Sequence, residues 1–369
     1  MKTIIYKAFI LLAAITAYGY TSAADAFTPA DSVQVTPTTQ VAQDATSTTT
    51  AVTPGQVLDN LLSKVKFTGY AHAGYEYDDT DPTTSSFNIK RAILWCDAKI
   101  TDRWSMRFMY NFCSDVQDFY TDFRITNGPE LSVRVGQFKT IFTIENPLSP
   151  STIECINGTS QAVTAMCGVK NDPLFGSKSG RDLGMKFFGD LFNKKFHYEF
   201  AIMNGQGINC SDGNSDKDIL LKLEFRPISG LNIVTSGQKG RGHAVGTADW
   251  NPDIAVGDNY RRDRLSFGAE WKGSPFSLRG EWLAGRDGEV DSRGLYFTGL
   301  VTVAKDIDII ASYDFYDRNI DLEYNQTNIT AGVQYWFFKK CRVQLQYTRV
   351  IRQFDEDYNC IQAQFQVGF

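Results

Sequence analysis

Residues 361–369 read Ile-Gln-Ala-Gln-Phe-Gln-Val-Gly-Phe. Ile361, Ala363, Phe365, Val367 and Phe369 alternate with Gln362, Gln364, Gln366 and Gly368. Successive side chains of an extended strand point to opposite faces, so this segment has one apolar and one polar face. The same period recurs upstream. Trp104, Met106, Phe108, Tyr110 and Phe112 alternate with Arg103, Ser105, Arg107, Met109 and Asn111. Ile307, Ile309, Ala311, Tyr313 and Phe315 alternate with Asp308, Ser312 and Asp314, and Ile329 to Phe337 repeats the pattern. From Val65 to Phe369 the period predicts sixteen strands, near 65–77, 87–100, 102–113, 116–126, 130–143, 181–191, 195–206, 217–226, 230–241, 260–272, 275–287, 291–304, 306–318, 325–338, 341–353 and 358–369.

The connections carry a second, independent signal. Thr101-Asp102, 227–230, Gly273-Ser274 and Lys339-Lys340 are tight, whereas 78–86, 145–180, 207–216 and 242–259 are long. Tight turns on one rim and long loops on the other are the layout of an outer-membrane barrel, with both termini on the short-turn, periplasmic side. A soluble sandwich shows the same alternation, but its apolar face mixes aliphatics of many sizes. Here that face turns aromatic toward the strand ends, at Trp104, Phe112, Phe315, Phe337 and Phe369, as interfacial girdles require. The expected fold is an all-β transmembrane antiparallel barrel of about sixteen strands, whose long third extracellular loop either folds into the lumen or stands as an extracellular flap.

Composition agrees. The 369 residues include 26 Phe, 17 Tyr and 30 Gly, with 11 Pro and 3 His. Beyond the N-terminus no apolar run approaches the roughly 18 residues of a spanning helix. A net charge of -5 argues against a dedicated nucleic-acid binder, which carries a basic surplus. Lys2 and Lys7, the apolar run 8–18 and the small residues Ser22-Ala23-Ala24 predict a secretory signal peptide over 1–26. Residues 27–55 hold nine Thr, three Pro and no Lys or Arg, the composition of a disordered periplasmic tether. A short amphipathic segment follows at 56–64, ahead of the barrel at 65–369. The seven cysteines show no CxxC or Cys/His spacing, so neither a metal site nor any cofactor is expected. They read as small buried residues with at most one bridge, among the loop residues Cys155, Cys167 and Cys210.

A sixteen-stranded barrel is too wide for side chains to fill, so its lumen holds water and function depends on what narrows it. Strand parity turns Lys66, Arg103, Arg107, Arg124, Arg134, Lys186, Lys222, Arg226, Arg264 and Arg279 inward. It also turns Glu76, Asp118, Asp122, Glu199, Glu224, Glu270, Glu281, Asp308 and Asp314 inward, so the tally alone predicts no strong selectivity. The loop 145–180 carries Lys170 and Lys178, with Arg181 just after it, against Glu145, Glu154 and Asp172. In a narrow, poorly screened passage such cations select anions.

Four short motifs resemble the phosphate-selective porins of the porin O and P family. Lys90-Arg91-Ala92 is similar to that family's basic pair before alanine. Gly136-Gln137-Phe138-Lys139 with Phe142 and Glu145 resembles its GQFK-x-P-F-x-x-E signature, with Ile141 where proline commonly stands. Arg181-Asp182-Leu183-Gly184 resembles its RD-x-G strand start, and Met203-Asn204-Gly205 its strand end. The resemblance implies a homotrimeric outer-membrane porin with an inward third loop and passive uptake of phosphate or related small anions. It points to Lys139, Lys170, Lys178 and Arg181 at the constriction and to Arg103, Arg107, Arg134 and Lys186 along the lumen.

Two other classes compete. An outer-membrane hydrolase needs an activated nucleophile, and the only histidines are His72, His197 and His243. His72 shares its inward face with Thr68 and Glu76, each about 13 Å away along the strand. A non-conducting structural or surface-interaction barrel would use the basic segments 239–243 and 260–264 at its outer mouth, where they could contact lipopolysaccharide.

Overall fold

The computed structural model describes residues 64–80, 85–176 and 178–369. The expected signal peptide, the Thr-rich tether and the amphipathic segment up to residue 63 lie outside the described residues. Sixteen strands follow in order: β1 (Val65–Asp78), β2 (Ser86–Lys99), β3 (Trp104–Asn111), β4 (Val116–Arg124), β5 (Ser132–Lys139), β6 (Arg181–Leu191), β7 (Phe196–Met203) and β8 (Asp218–Phe225), then β9 (Leu231–His243), β10 (Asn259–Lys272), β11 (Phe276–Asp287), β12 (Val290–Ala304), β13 (Ile307–Asp317), β14 (Asn325–Phe338), β15 (Cys341–Arg352) and β16 (Tyr358–Gly368). Each pairs antiparallel with its neighbours in sequence, and β1 pairs with β16 to close the barrel. One short helix, α1 (Gln161–Met166), interrupts the long loop between β5 and β6.

Burial runs opposite to that of a soluble protein. On β15 and β16, Gln344, Gln346, Gln362, Gln364 and Gln366 are at most 4% exposed, while Leu345 is 52% and Phe365 46% exposed. Apolar side chains stand outward around the whole wall, from Phe119 and Phe123 on β4 to Phe297 on β12 and Tyr335 on β14. An exposed apolar surface of this extent is covered by hydrocarbon, so the strands span a membrane.

Two glycines are needed where backbones or rings approach closely. A Cβ at Gly69 would lie 2.7 Å from the Phe369 ring and 2.8 Å from the Ile93 carbonyl, so glycine at 69 lets the last residue lie across the closing seam. At Gly136 the φ of 129° and a Cβ position 2.2 Å from the Phe119 carbonyl exclude any other residue.

β5 ends four residues earlier than the alternation suggests. Thr140 N–H donates to the Gly180 carbonyl at 3.0 Å, tying the two ends of the long loop together. Beyond that tie Ile141, Phe142 and Ile144 are buried, so positions 140–143, which read as the end of a strand, belong to the loop. All seven cysteines are free thiols.

Replacing Leu345 with Arg, which puts a charge on the lipid face near mid-wall, should destabilise the membrane-inserted barrel by about 2–4 kcal/mol. Gln364→Ser on the opposite face should change it far less. Urea titration of the barrel folded into lipid vesicles compares the two.

Candidate functional site: the lumen and its loop

Inward side chains of seven strands hold the loop 140–180. Thr143 N–H donates to Ser236 Oγ of β9 at 2.9 Å, and Ile144 N–H to both oxygens of Glu281 on β11 at 3.1 Å. Arg342 Nη2 of β15 donates to the Ile153 carbonyl at 2.8 Å. Gln344 and Gln346 donate to the Glu154 carbonyl at 2.9 and 2.7 Å, and Gln346 accepts from Ile156 N–H. On β16, Gln362 reaches Asn157 at 2.7 Å. Asp314 of β13 accepts from the first N–H of α1, at Gln161. Loop apolar residues Phe142, Val163 and Met166 pack on the inward Leu220, Leu283, Tyr296 and Tyr316 of β8, β11, β12 and β13. Backbone groups of Thr143, Ile144, Ile153, Glu154, Ile156 and Gln161 are thus met by side chains of the wall, which removes the penalty of leaving them unpaired.

One buried charge centre dominates the seat. Arg279 of β11 bonds Glu145 at 3.1 Å and Glu154 at 2.5 Å, and Glu145 in turn accepts from Ser160 N–H at 2.7 Å. Burial pushes the Glu145 carboxyl above the ordinary carboxylate range, against the pull of Arg279.

The cations singled out from the sequence occupy different surroundings. Lys139 donates to the Asn146 and Leu148 carbonyls at 2.7 and 2.6 Å, bracing the start of the loop. Arg181 is buried and bonds Asp118 at 2.6 Å. Lys178 is buried beside Cys210, with its ammonium 5.4 Å from the Phe175 ring centre, and burial lowers its pKa. Lys186 pairs with Glu199 at 2.5 Å. Arg107 and Arg134 make two-pronged bonds to Asp97 and Asp122, and the Arg134 guanidinium sits 3.6 Å from the centre of the Tyr120 ring. Arg103 is exposed and bonds Asn127. Lys170 alone of the eight borders both water-accessible spaces beside the loop, of about 250 and 340 Å³.

Lys170 meets two residues from β2. The β1–β2 register pairs His72 with Arg91 and then Ala73 with Ile89, leaving Lys90 as an extra residue in a bulge. A bulge puts two consecutive side chains on one face. Lys90 bonds the inward Glu76 at 2.9 Å, and Arg91 lies near the inward Tyr70. Lys170 is exposed to the lumen, but the protein packed around it there limits its hydration, and this and then the neighbouring charge of Lys90 hold its ammonium below its ordinary pKa, with Glu76 opposing the effect and Arg91 adding to it. Lys90 and Lys170 therefore lie beside the single carboxylate of Glu76, with Arg91 next along the same face, on the Tyr70 side. Arg91 has no acidic partner among the described residues. Parity slips within this strand, from Phe87 and Ile89 outward to Ala92 and Leu94 outward, and that slip is the sequence trace of the bulge.

Toward the short-turn rim, a space of about 650 Å³ against β1–β6 is lined by Lys64, Lys66, Lys99, Arg103, Arg107, Arg124 and Arg134, with only Asp97, Asp102 and Asp122 opposing. Among the histidines, His72 is buried against Gln366 at 2.9 Å, His197 lies between Asp190 and Glu199, and His243 bonds Asn259.

No family model and no curated protein sequence matches this chain. Solved structures do. In-vitro folded OmpT, an outer membrane protein of Vibrio cholerae, superposes with a TM-score of 0.60 at 12% identity, covering 83% of this chain and 97% of its own. An anion-selective porin from Comamonas acidovorans gives 0.57 at 14% identity over 83% and 99%. The outer membrane channel DcaP of Acinetobacter baumannii gives 0.55 at 11% identity over 82% and 97%. At these identities the likeness is one of fold, that of bacterial outer-membrane porins.

Arg279→Gln should strip the countercharge from Glu145 and Glu154 and weaken the loop's seat by about 3–5 kcal/mol. The measurement is protease cutting within 145–165 of the folded barrel, which should become faster while the barrel itself stays intact.

Proposed function

We propose that this chain is an outer-membrane porin for passive diffusion of small hydrophilic solutes, preferring anions of about the size of phosphate. The observation that carries this reading is the convergence of Lys90, Arg91 and Lys170 beside the loop. Two lysines beside one carboxylate and a third cation next to them, in a passage narrowed by the loop, raise the local concentration of anions and lower their barrier to passage. The seven-to-three surplus of cations at the short-turn end continues the same potential along β1–β6. The anion selectivity of the Comamonas acidovorans porin and the trimer form of Vibrio cholerae OmpT agree with it, and we take the assembly to be a homotrimer. The N-terminal segment then lies in the periplasm. Lys139, Arg181 and Lys186 serve this pore as braces of loop and wall, and Lys178 as part of the loop's packing.

Planar-bilayer conductance tests the reading, with reversal potential under a KCl gradient and phosphate titration. Discrete steps, an anion-directed reversal potential and block by phosphate are expected. Folded, inserted protein that gives no steps would favour the surface-interaction reading instead. Arg91→Ala combined with Lys170→Ala should move the reversal potential toward zero while the steps persist.

The same assay has a pH signature. Lys170 carries its charge below its depressed pKa and loses it as pH rises through that value, so chloride preference should fall at a lower pH than an ordinary lysine near 10.5 would give. Lys170→Arg, whose charge persists, should flatten that decline.

A further inference from the structure

At the long-loop rim the inward columns of β14 and β15 end in aromatic rings. Gln326 stands opposite Arg352 in the register of these strands. One inward position further toward the rim, Tyr324 and Phe354 stack on each other, with ring centres 5.2 Å apart and planes inclined by 22°. The stacking leaves Tyr324 39% and Phe354 59% exposed. Both continue the inward parity of Gln326 and Arg352, so the lipid belt does not account for that exposure. They border a space of about 340 Å³ that is completed by β13 and the long loop, through Tyr316, Arg318, Gln161 and Asn171.

Three cations border this space, and two of them are engaged. Arg318 bonds Asp172, and Arg352 bonds Asp355 at 2.7 Å. Lys170 makes no hydrogen bond among the described residues, and the Glu76 carboxylate beside it is taken by Lys90 at 2.9 Å. The neighbouring Asn171 amide is likewise without a partner there. Gln161, Thr164, Lys170 and Gln326 also line the second space, of about 250 Å³, which continues away from the rim. Its wall adds hydroxyl and amide groups at Thr298, Ser312, Asn328 and Thr330.

We propose that the space at the rim is a capture site for a pyranose bearing one carboxylate, with the C–H face of the sugar ring on Phe354 and Tyr324 and the carboxylate at Lys170. Exposed rings facing water have an apolar surface to offer, and an inorganic anion has nothing to cover it with. A sugar ring has such a face, while its hydroxyls both donate and accept, as side-chain amides and hydroxyls do. The volume falls within the range of about 300–1,000 Å³ typical of small-molecule sites, more than one inorganic ion requires. The inference deepens the pore reading and rests on it for its purpose, since capture at the mouth serves uptake only when a passage continues below.

The test is a saturation-transfer NMR titration of the detergent-solubilised full chain with glucuronate, glucose and benzoate. Heat-modifiable gel migration checks the folding of every variant. Glucuronate should bind at least ten times more tightly than glucose, with saturation reaching its ring C–H protons. Phe354→Ala should weaken glucuronate at least five-fold, and Phe354→Trp, which restores a ring face, should bind it as the unaltered protein does. Lys170→Gln should bring glucuronate to the level of glucose. Equal binding of the two sugars by the unaltered protein, or unchanged binding by Phe354→Ala, would overturn the proposal. So would tighter binding of benzoate than of glucuronate, which would make the site one for aromatic carboxylates. Planar-bilayer recordings on the same preparation keep the two readings apart. Anion-directed steps without glucuronate binding would overturn the capture site alone, whereas glucuronate binding by a barrel that gives no steps would support the site and overturn the pore.

Discussion

A strand immersed in hydrocarbon has nowhere to place an unpaired N–H or C=O except on another strand, and the architecture follows from that requirement. The β1–β16 seam meets it, with Gly69 and Phe369 exchanging backbone bonds at the point where the chain returns to its start. Closure fixes which face looks outward, and the outward face must then be apolar around the full circumference. The inward face is free to be polar. That freedom lets a wall of amides and carboxylates organise a loop some forty residues long.

The loop depends on this inner wall more than on its own sequence. Its one helix among the described residues has six residues, too few to persist alone, and the first N–H of α1 donates to the Asp314 carboxylate across the lumen. Neutral glutamines hold one side of the loop and a buried arginine between two glutamates holds another. The packing against Leu283 and Tyr296 supplies the apolar part of the seat.

The fold was legible because a period of two, repeated sixteen times with alternating turn lengths, leaves few other solutions. Strand limits followed to within a few residues except at β5, where Ile141 continues the lipid-facing parity of Val135 yet packs inside. Nothing in a one-dimensional pattern distinguishes those two destinations. The loop's partners were less legible still, since Gln344 and Glu154 meet across 190 residues of sequence. Lys90 and Arg91 stood out only through family likeness, although the parity slip between Ile89 and Ala92 marks them physically. Lys139, Arg181 and Lys186 show why counting inward charges says little by itself. Most such groups are taken up by a neighbour, and only the geometry separates those groups from the ones that face the solute.

The extra residue in β2 also has an arithmetical consequence. Which side chains of a strand see the aqueous interior is a matter of odd and even counting, and the bulge resets that count partway along β2 without disturbing its neighbours' pairing. Losing one residue there would send either Lys90 or Arg91 out of the passage while the seam and the turns stayed in place. The inner lining of such a barrel can therefore be rewritten by a single insertion or deletion as readily as by substitution. Among related chains, length differences inside strands would then track changes in solute preference more closely than differences in the loops.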